Sequence, residues 1–245
     1  MSTTVAFWRR PWIAPLLFVT VAFLAFSVPR YLTLDPTRSL LPIRENAPLH
    51  YPALVLHIFL GSVALLASCF QVWPWFRSRY PSIHRLLGRA YVSTALPAAV
   101  LAIPVSIYGH TGFVGSAGNL LLSTVWFATT VAGFRMARQR RFQEHRRWMI
   151  RSFALGMSIV VNRLWGVLMI AVVVPLITST DAEAEALMMP AFTATVWLSW
   201  VVNLLLAEWW IERTSRRRPT AAPRRDDRTS GTPSLQPPEP AQRSS

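Results

Sequence analysis

The chain has 245 residues, of which 52% are hydrophobic and only 15% charged, and its mean hydropathy is +0.33. A soluble domain carries about one quarter charged residues, and here the apolar residues fall in long blocks, so a soluble fold is excluded. The net charge of +14 comes from 25 basic residues, all of them arginine. They sit between apolar blocks and in the C-terminal tail, a placement that fits anionic lipid headgroups and topology control rather than nucleic acid. The single cysteine, Cys69, excludes an intrachain disulfide and any cysteine-based zinc or iron–sulfur site.

Six blocks are long enough to cross a hydrocarbon core of about 30 Å at 1.5 Å per residue. They run Trp12 to Val28, Ala53 to Trp75, Ala90 to Gly109, Gly115 to Phe134, Trp148 to Ile177 and Ala191 to Ile211. They are too long and continuous for barrel strands, and a bilayer otherwise admits only helices. The expected fold is therefore all-α, a polytopic transmembrane bundle of about six helices spanning residues 12–211. Residues 1–11 form its cytoplasmic N-terminus, and the core helices lie within 50–178. The first block has a second reading as a signal peptide, with Ala25-Phe26-Ser27 as its cleavage site. Residues 212–245 are rich in Arg, Pro, Ser and Thr and poor in apolar side chains, and read as a disordered cytoplasmic tail.

The connections alternate in charge. Arg9 and Arg10 precede the first block, and Arg77, Arg79, Arg85 and Arg89 lie between the second and third. The next such connection carries Arg135, Arg138, Arg140, Arg141, Arg146 and Arg147, and Arg213 and Arg216 follow the sixth block. Residues 110–114 have no arginine, residues 178–190 carry Asp181, Glu183 and Glu185 instead, and residues 29–52 are mixed, with Arg30, Arg38 and Arg44 against Asp35 and Glu45. The positive-inside rule then places both termini on the cytoplasmic side, N-in and C-in, of a bacterial inner membrane.

Small and polar residues mark helix contacts in lipid. Such stripes occur at steps of three and four, which keep them on one helix face. In the second block the stripe is His57, Gly61, Ala64, Ser68 and Gln71. In the fourth it is Asn119, Ser123, Trp126, Thr130 and Gly133, and in the fifth His145, Met149, Ser152, Gly156, Ile159, Arg163 and Gly166. Pro97 and Pro104 should kink the third helix.

Arg163 is the most costly residue of the spans, because an arginine at the centre of a membrane helix costs at least about 2.5–3.5 kcal/mol and calls for a partner. It falls near the middle of the fifth block, where no carboxylate is at hand; the only acid in a span is Glu208, near the cytoplasmic end of the sixth. Along their helices His57 and Arg163 come to similar depth, so His57, Gln71 and Arg163 are candidates to bind a small anionic or amphipathic ligand. His84 and His145 each stand in a His-Arg pair at the entrance of a helix. They are candidate ligands of a haem b, or else anchors of helix ends. Arg85, Arg89, Arg147 and Arg151 are candidates for phosphate or lipid-headgroup contact.

The sequence resembles a bacterial family of predicted membrane proteins, domain of unknown function 2306. The likeness rests on His57 in the second helix, His84-Arg85 with Gly88-Arg89 and Tyr91, the run His145-Arg146-Arg147-Trp148-Met149-Ile150-Arg151-Ser152, and Arg163. It covers roughly residues 50–170 and implies a membrane fold without an activity. Hydrolase and nucleotide-binding patterns are absent: there is no G-x-S-x-G, no H-E-x-x-H and no glycine-rich phosphate loop. Three functions compete on these grounds. One is a structural or accessory membrane component, the second a haem- or quinone-linked electron carrier, and the third a binding or transport protein for a small anionic or amphipathic molecule.

Overall fold

The computed structural model describes residues 12–44 and 46–216, and all regular structure within them is helical. Among these residues nine α-helices follow in order: α1 (Ile13–Ser27), α2 (His50–Gln71), α3 (Pro74–Arg79), α4 (Pro81–Tyr108), α5 (Gly112–Arg138), α6 (Phe142–Gly156), α7 (Ser158–Leu168), α8 (Val174–Ile177) and α9 (Asp181–Arg216). Six of the described segments are long and apolar enough to cross a bilayer. The chain is therefore a multi-pass, all-α membrane protein. The expectations for residues 1–11 and for the tail beyond Arg216 lie outside the described residues.

Helices α2, α4, α5 and α6 form a four-helix core. Helix α4 packs between α2 and α5, α5 between α4 and α6, and α2 reaches α6, so α4 and α6 face each other across the diagonal. Small residues let the backbones approach: Ala64, Ala67, Ala95, Ala98 and Ala99 are all buried beside Tyr91, Trp126, Leu155 and Trp200. Helix α9 lies against α5, α6 and α7, and α1 against α2. After α1 the chain folds back over the ends of α2 and α4. Tyr31 is buried against Leu54 and Val55, and its hydroxyl accepts from Leu40 N at 3.3 Å. In the same segment Asp35 accepts from the Thr37 hydroxyl and amide, which hold its carboxyl below the usual range.

Three elements differ from the sequence expectation. The fifth block is not one helix. The carbonyl of Ala154 accepts from Asn203 Nδ2 at 3.0 Å and from Ser158 Oγ at 3.1 Å, and the helix breaks at Met157. Side chains inserted into the backbone ladder have this effect. Further on, Pro175 lacks the amide that would continue the ladder, and residues Met169–Val173 widen into a π turn. The sixth block is longer than expected and begins at Asp181. Glu183 accepts from the amides of Ser179 (2.7 Å) and Thr180 (3.2 Å), while Thr180 Oγ1 accepts from Glu183 N (3.3 Å). That reciprocal cap starts the helix ten residues before the apolar block. At its other end the helix runs on to Arg216, which pairs with Glu212, so residues 212–216 are helical and not part of an irregular tail. Finally, the Arg-rich link between the second and third blocks is structured: Pro74 and Pro81 occupy first-turn positions of α3 and α4. His84 thus lies inside the first turns of α4.

Candidate functional site

The core holds a closed polar circuit. Trp126 Nε1–H donates to the Tyr91 hydroxyl at 3.1 Å, and Tyr91 Oη lies 2.6 Å from Ser152 Oγ. Ser152 Oγ is 2.7 Å from Thr130 Oγ1, which donates to the carbonyl of Trp126 at 2.7 Å. The single Thr130 hydrogen is used there, so Ser152 must donate to Thr130 and Tyr91 to Ser152. The circuit starts and ends on Trp126 and ties α4, α5 and α6 together at mid-length of α5. Every hydroxyl in it donates once and accepts once, so no hydroxyl hydrogen is left to donate to a substrate.

Helices α4 and α6 both start at the arginine-rich end and run the same way. His84 stands seven residues before Tyr91, and His145 seven before Ser152. Two helical turns below a touching pair, residues return to the same faces, so His84 and His145 stand on the facing sides of α4 and α6 at the arginine-rich end of the core. His145 Nδ1–H donates to Gly133 O at 2.8 Å. That fixes its neutral tautomer with Nε2 as the free nitrogen. His84 Nδ1 is buried and has no partner among the described residues. Arg77, Arg85 and His145 are close enough to His84 to act on its charge. One turn further in the helices approach closely: a Cβ on Gly133 would lie 2.5 Å from Met149 Sδ, and one on Gly88 3.5 Å from Gln71 Oε1. No group of three or more His, Cys, Asp or Glu able to hold a metal exists among the described residues.

The other candidates fall in separate places. His57 Nδ1–H donates to Ala98 O at 2.8 Å, binding α2 to α4. Gln71 Nε2 donates to His84 O at 2.8 Å and joins the same two helices near the arginines. Arg163 is exposed on α7 and makes no hydrogen bond or ion pair among the described residues. Its neighbour Asn162 donates to Thr195 Oγ1 at 3.2 Å, and Trp197 donates to the carbonyl of Val114 in the first turn of α5 at 3.1 Å. Arg163 is therefore level with the end of α5 remote from the arginines, and no described contact joins it to His57 or Gln71.

Of the four arginines expected to meet phosphates, Arg85 donates to Ser82 Oγ at 3.1 Å and Arg89 is exposed. Arg147 donates to Ser215 Oγ at 3.0 Å. Arg151 is engaged within the protein. It forms a two-point ion pair with Glu208, in which Nη2 lies 2.8 Å from Oε2, and its guanidinium covers the Trp148 ring at 4.6 Å. The pair Arg151–Glu208 and the residues Tyr91, Thr130 and Ser152 carry the polar contacts of the interior. The stripes were the sequence signal for Thr130, Ser152 and Trp126 of the circuit, whereas Tyr91, Arg151 and Glu208 lie off them.

The profile of a family described as predicted membrane protein (DUF2306) matches residues 54–211. The chain belongs to this family. The matched region holds the four-helix core apart from the first four residues of α2, together with the closed circuit, His84, His145 and the Arg151–Glu208 pair, so the arrangement above is that of the family's domain in this chain. No curated protein and no solved structure matches the chain.

Proposed function

We propose that this family member is a structural or accessory component of a bacterial inner membrane, with both termini cytoplasmic and its arginine-rich end seated on anionic lipid headgroups. The observation that carries the reading is how the interior polar groups are used. The buried circuit closes on itself, His57 and His145 are bonded to backbone carbonyls, and Arg151 is paired with Glu208. These side chains hold helices together. The charge pattern supports the orientation: the α2–α4 and α5–α6 connections carry arginines, while the α7–α9 side begins α9 with Asp181 and Glu183.

Reporter fusions test it. A fluorescent reporter placed after residue 245 should light up in the cytoplasm, and a phosphatase reporter inserted at residue 110 or 180 should be active outside. An active phosphatase at Ser78 would reverse the orientation and remove the link between the arginines and the cytoplasmic leaflet.

A further inference from the structure

We infer that the arginine-rich end at the first turns of α4 and α6 is a binding site for a phosphate group, with His84, Arg77 and Arg85 as its donors. The inference deepens the reading above by naming the headgroup chemistry, and it rests on the same arginine-rich end.

Four observations meet at this place. The first is the matched position of the two imidazoles, set by the Tyr91–Ser152 contact two turns away. The second is their hydrogen bonding. His145 spends Nδ1–H on Gly133 O, and His84 Nδ1 is buried without a partner. A buried bare lone pair is better tolerated than a buried N–H without an acceptor, so the ring proton of His84 belongs on Nε2. Neither Nε2 is among the buried unpaired atoms or bonded to a described residue. The Nε2 of His84 therefore carries a proton that no described residue accepts, while that of His145 is a bare lone pair beside it.

The third observation is charge. Arg77, Arg85 and His145 act on His84 together, and the described carboxylates of this end are engaged elsewhere. Glu144 pairs with Arg141, Glu208 with Arg151 and Glu212 with Arg216. Arg77 has no side-chain partner among the described residues, and Arg85 spends one of its donors on Ser82. Two long helices also point their N-termini here, and their dipoles add to the positive potential. The fourth is the setting. Trp73, Trp75, Phe76 and Tyr80 form an aromatic cluster on and around α3, with Trp73 and Phe76 stacked at 6.2 Å and Trp75 edge-on to Tyr80 at 5.9 Å. Tryptophan and tyrosine take headgroup level in a bilayer, which puts the three donors where a lipid phosphate lies. Metal cations are repelled by the arginines, and guanidinium with an imidazole N–H suits a phosphate oxygen by two-point and single hydrogen bonds.

The test uses the full chain in mild detergent with three probes: short-chain phosphatidic acid, short-chain phosphatidylcholine and inorganic phosphate, read by calorimetric titration. Phosphatidic acid should bind at least about tenfold more tightly than phosphatidylcholine. Each of Arg77→Gln and Arg85→Gln should weaken it by about tenfold, the loss of one charge-assisted hydrogen bond. Competition by inorganic phosphate, or binding of inorganic phosphate alone, shows that the phosphate itself is read and that a free phosphate is a source. Phosphatidic acid binding that phosphate does not displace shows a lipid headgroup as the source. Arg138→Gln removes a charge from the same end away from the three donors and should leave the preference intact. Arg85 is exposed and bonded only to Ser82, so its variant should fold with an unchanged melting temperature. Equal binding of phosphatidylcholine, or a preference that survives both Arg77→Gln and Arg85→Gln, overturns the inference. The assay does not depend on orientation in the cell, so a reversed topology and a missing phosphate site give different results.

Discussion

The Tyr91 hydroxyl lies 2.6 Å from Ser152 Oγ across the diagonal of the four-helix core. This contact sets the register of α4 against α6 and so the facing of His84 and His145. It also divides the interior. On its far side the core is alanine and glycine against tryptophan, and on its near side lies the arginine-rich end.

Because the circuit closes on itself, its members should act as a unit. Tyr91→Phe leaves the buried Trp126 N–H without an acceptor and should cost about 1–3 kcal/mol, near the upper end of what single polar contacts contribute in lipid. Ser152→Ala should cost less, because Tyr91 still accepts from Trp126. The double variant Tyr91→Phe/Ser152→Ala should be less destabilised than the sum of the two, by about 0.5–1 kcal/mol or more. Unfolding in mixed micelles measures all three. Strict additivity would mean that the circuit is not formed.

Gly133 serves close approach. A Cβ there would lie 2.5 Å from Met149 Sδ, at the level of His145, whose Nδ1–H holds the Gly133 carbonyl. Gly133→Ala should destabilise by about 1–3 kcal/mol through overpacking, and Met149→Ala in the same chain should relieve part of that cost. At Gly61 and Gly166 an added Cβ would meet only open space. Alanine at either should be neutral or stabilising by up to about 1 kcal/mol, from helix propensity. A thermal series over these variants separates packing from propensity; equal effects at Gly133 and Gly61 would contradict the packing.

The stripes were legible where the helices are regular. His57, Gln71, Trp126, Thr130, Gly133, His145, Met149 and Ser152 lie on them, and all of them make interior contacts. The fifth stripe fails beyond Gly156. Its next members, Ile159 and Arg163, are exposed, because the break at Met157 turns α7 out of phase with α6. A simple period of 3.6 carries no sign of that break, whose cause is a side chain from α9. In the same way Arg163 sits mid-block in the sequence yet level with the end of α5, since depth is set by the pairing Asn162–Thr195 and not by counting from one helix end. The start of α9 was legible in Thr180-x-x-Glu183, a capping pattern outside the apolar block.

That cap makes its own prediction. Thr180→Ala or Glu183→Ala removes one half of the reciprocal pair that satisfies the amides of Ser179, Thr180 and Glu183. Each should cost about 1 kcal/mol of local helix stability. The loss should appear as faster amide exchange over residues 181–190 and leave the exchange of α4 and α5 unchanged. A change spread over the whole protein would show that α9 does not begin independently of the core.

The ion pair of Arg151 with Glu208 joins α6 to α9, 57 residues apart in the chain. Arg151 is the better covered partner, with 21% of its side chain exposed against 44% for Glu208. It also lies on the Trp148 ring, an interaction open to a cation and not to a carboxylate. Arg151→Glu brings two carboxylates together and sets one against the negative face of an indole, so it should be the most damaging single change at this contact. Glu208→Arg should cost less, because its position is nearer water and salt screens the repulsion. The swapped pair Arg151→Glu/Glu208→Arg should recover the ionic attraction but not the cation–π contact, leaving a deficit of about 0.5–1 kcal/mol. Melting temperatures of the four proteins at low and high salt test this. Full recovery in the swap would reduce the Trp148 contact to packing, and no recovery at all would mean that the two side chains do not meet.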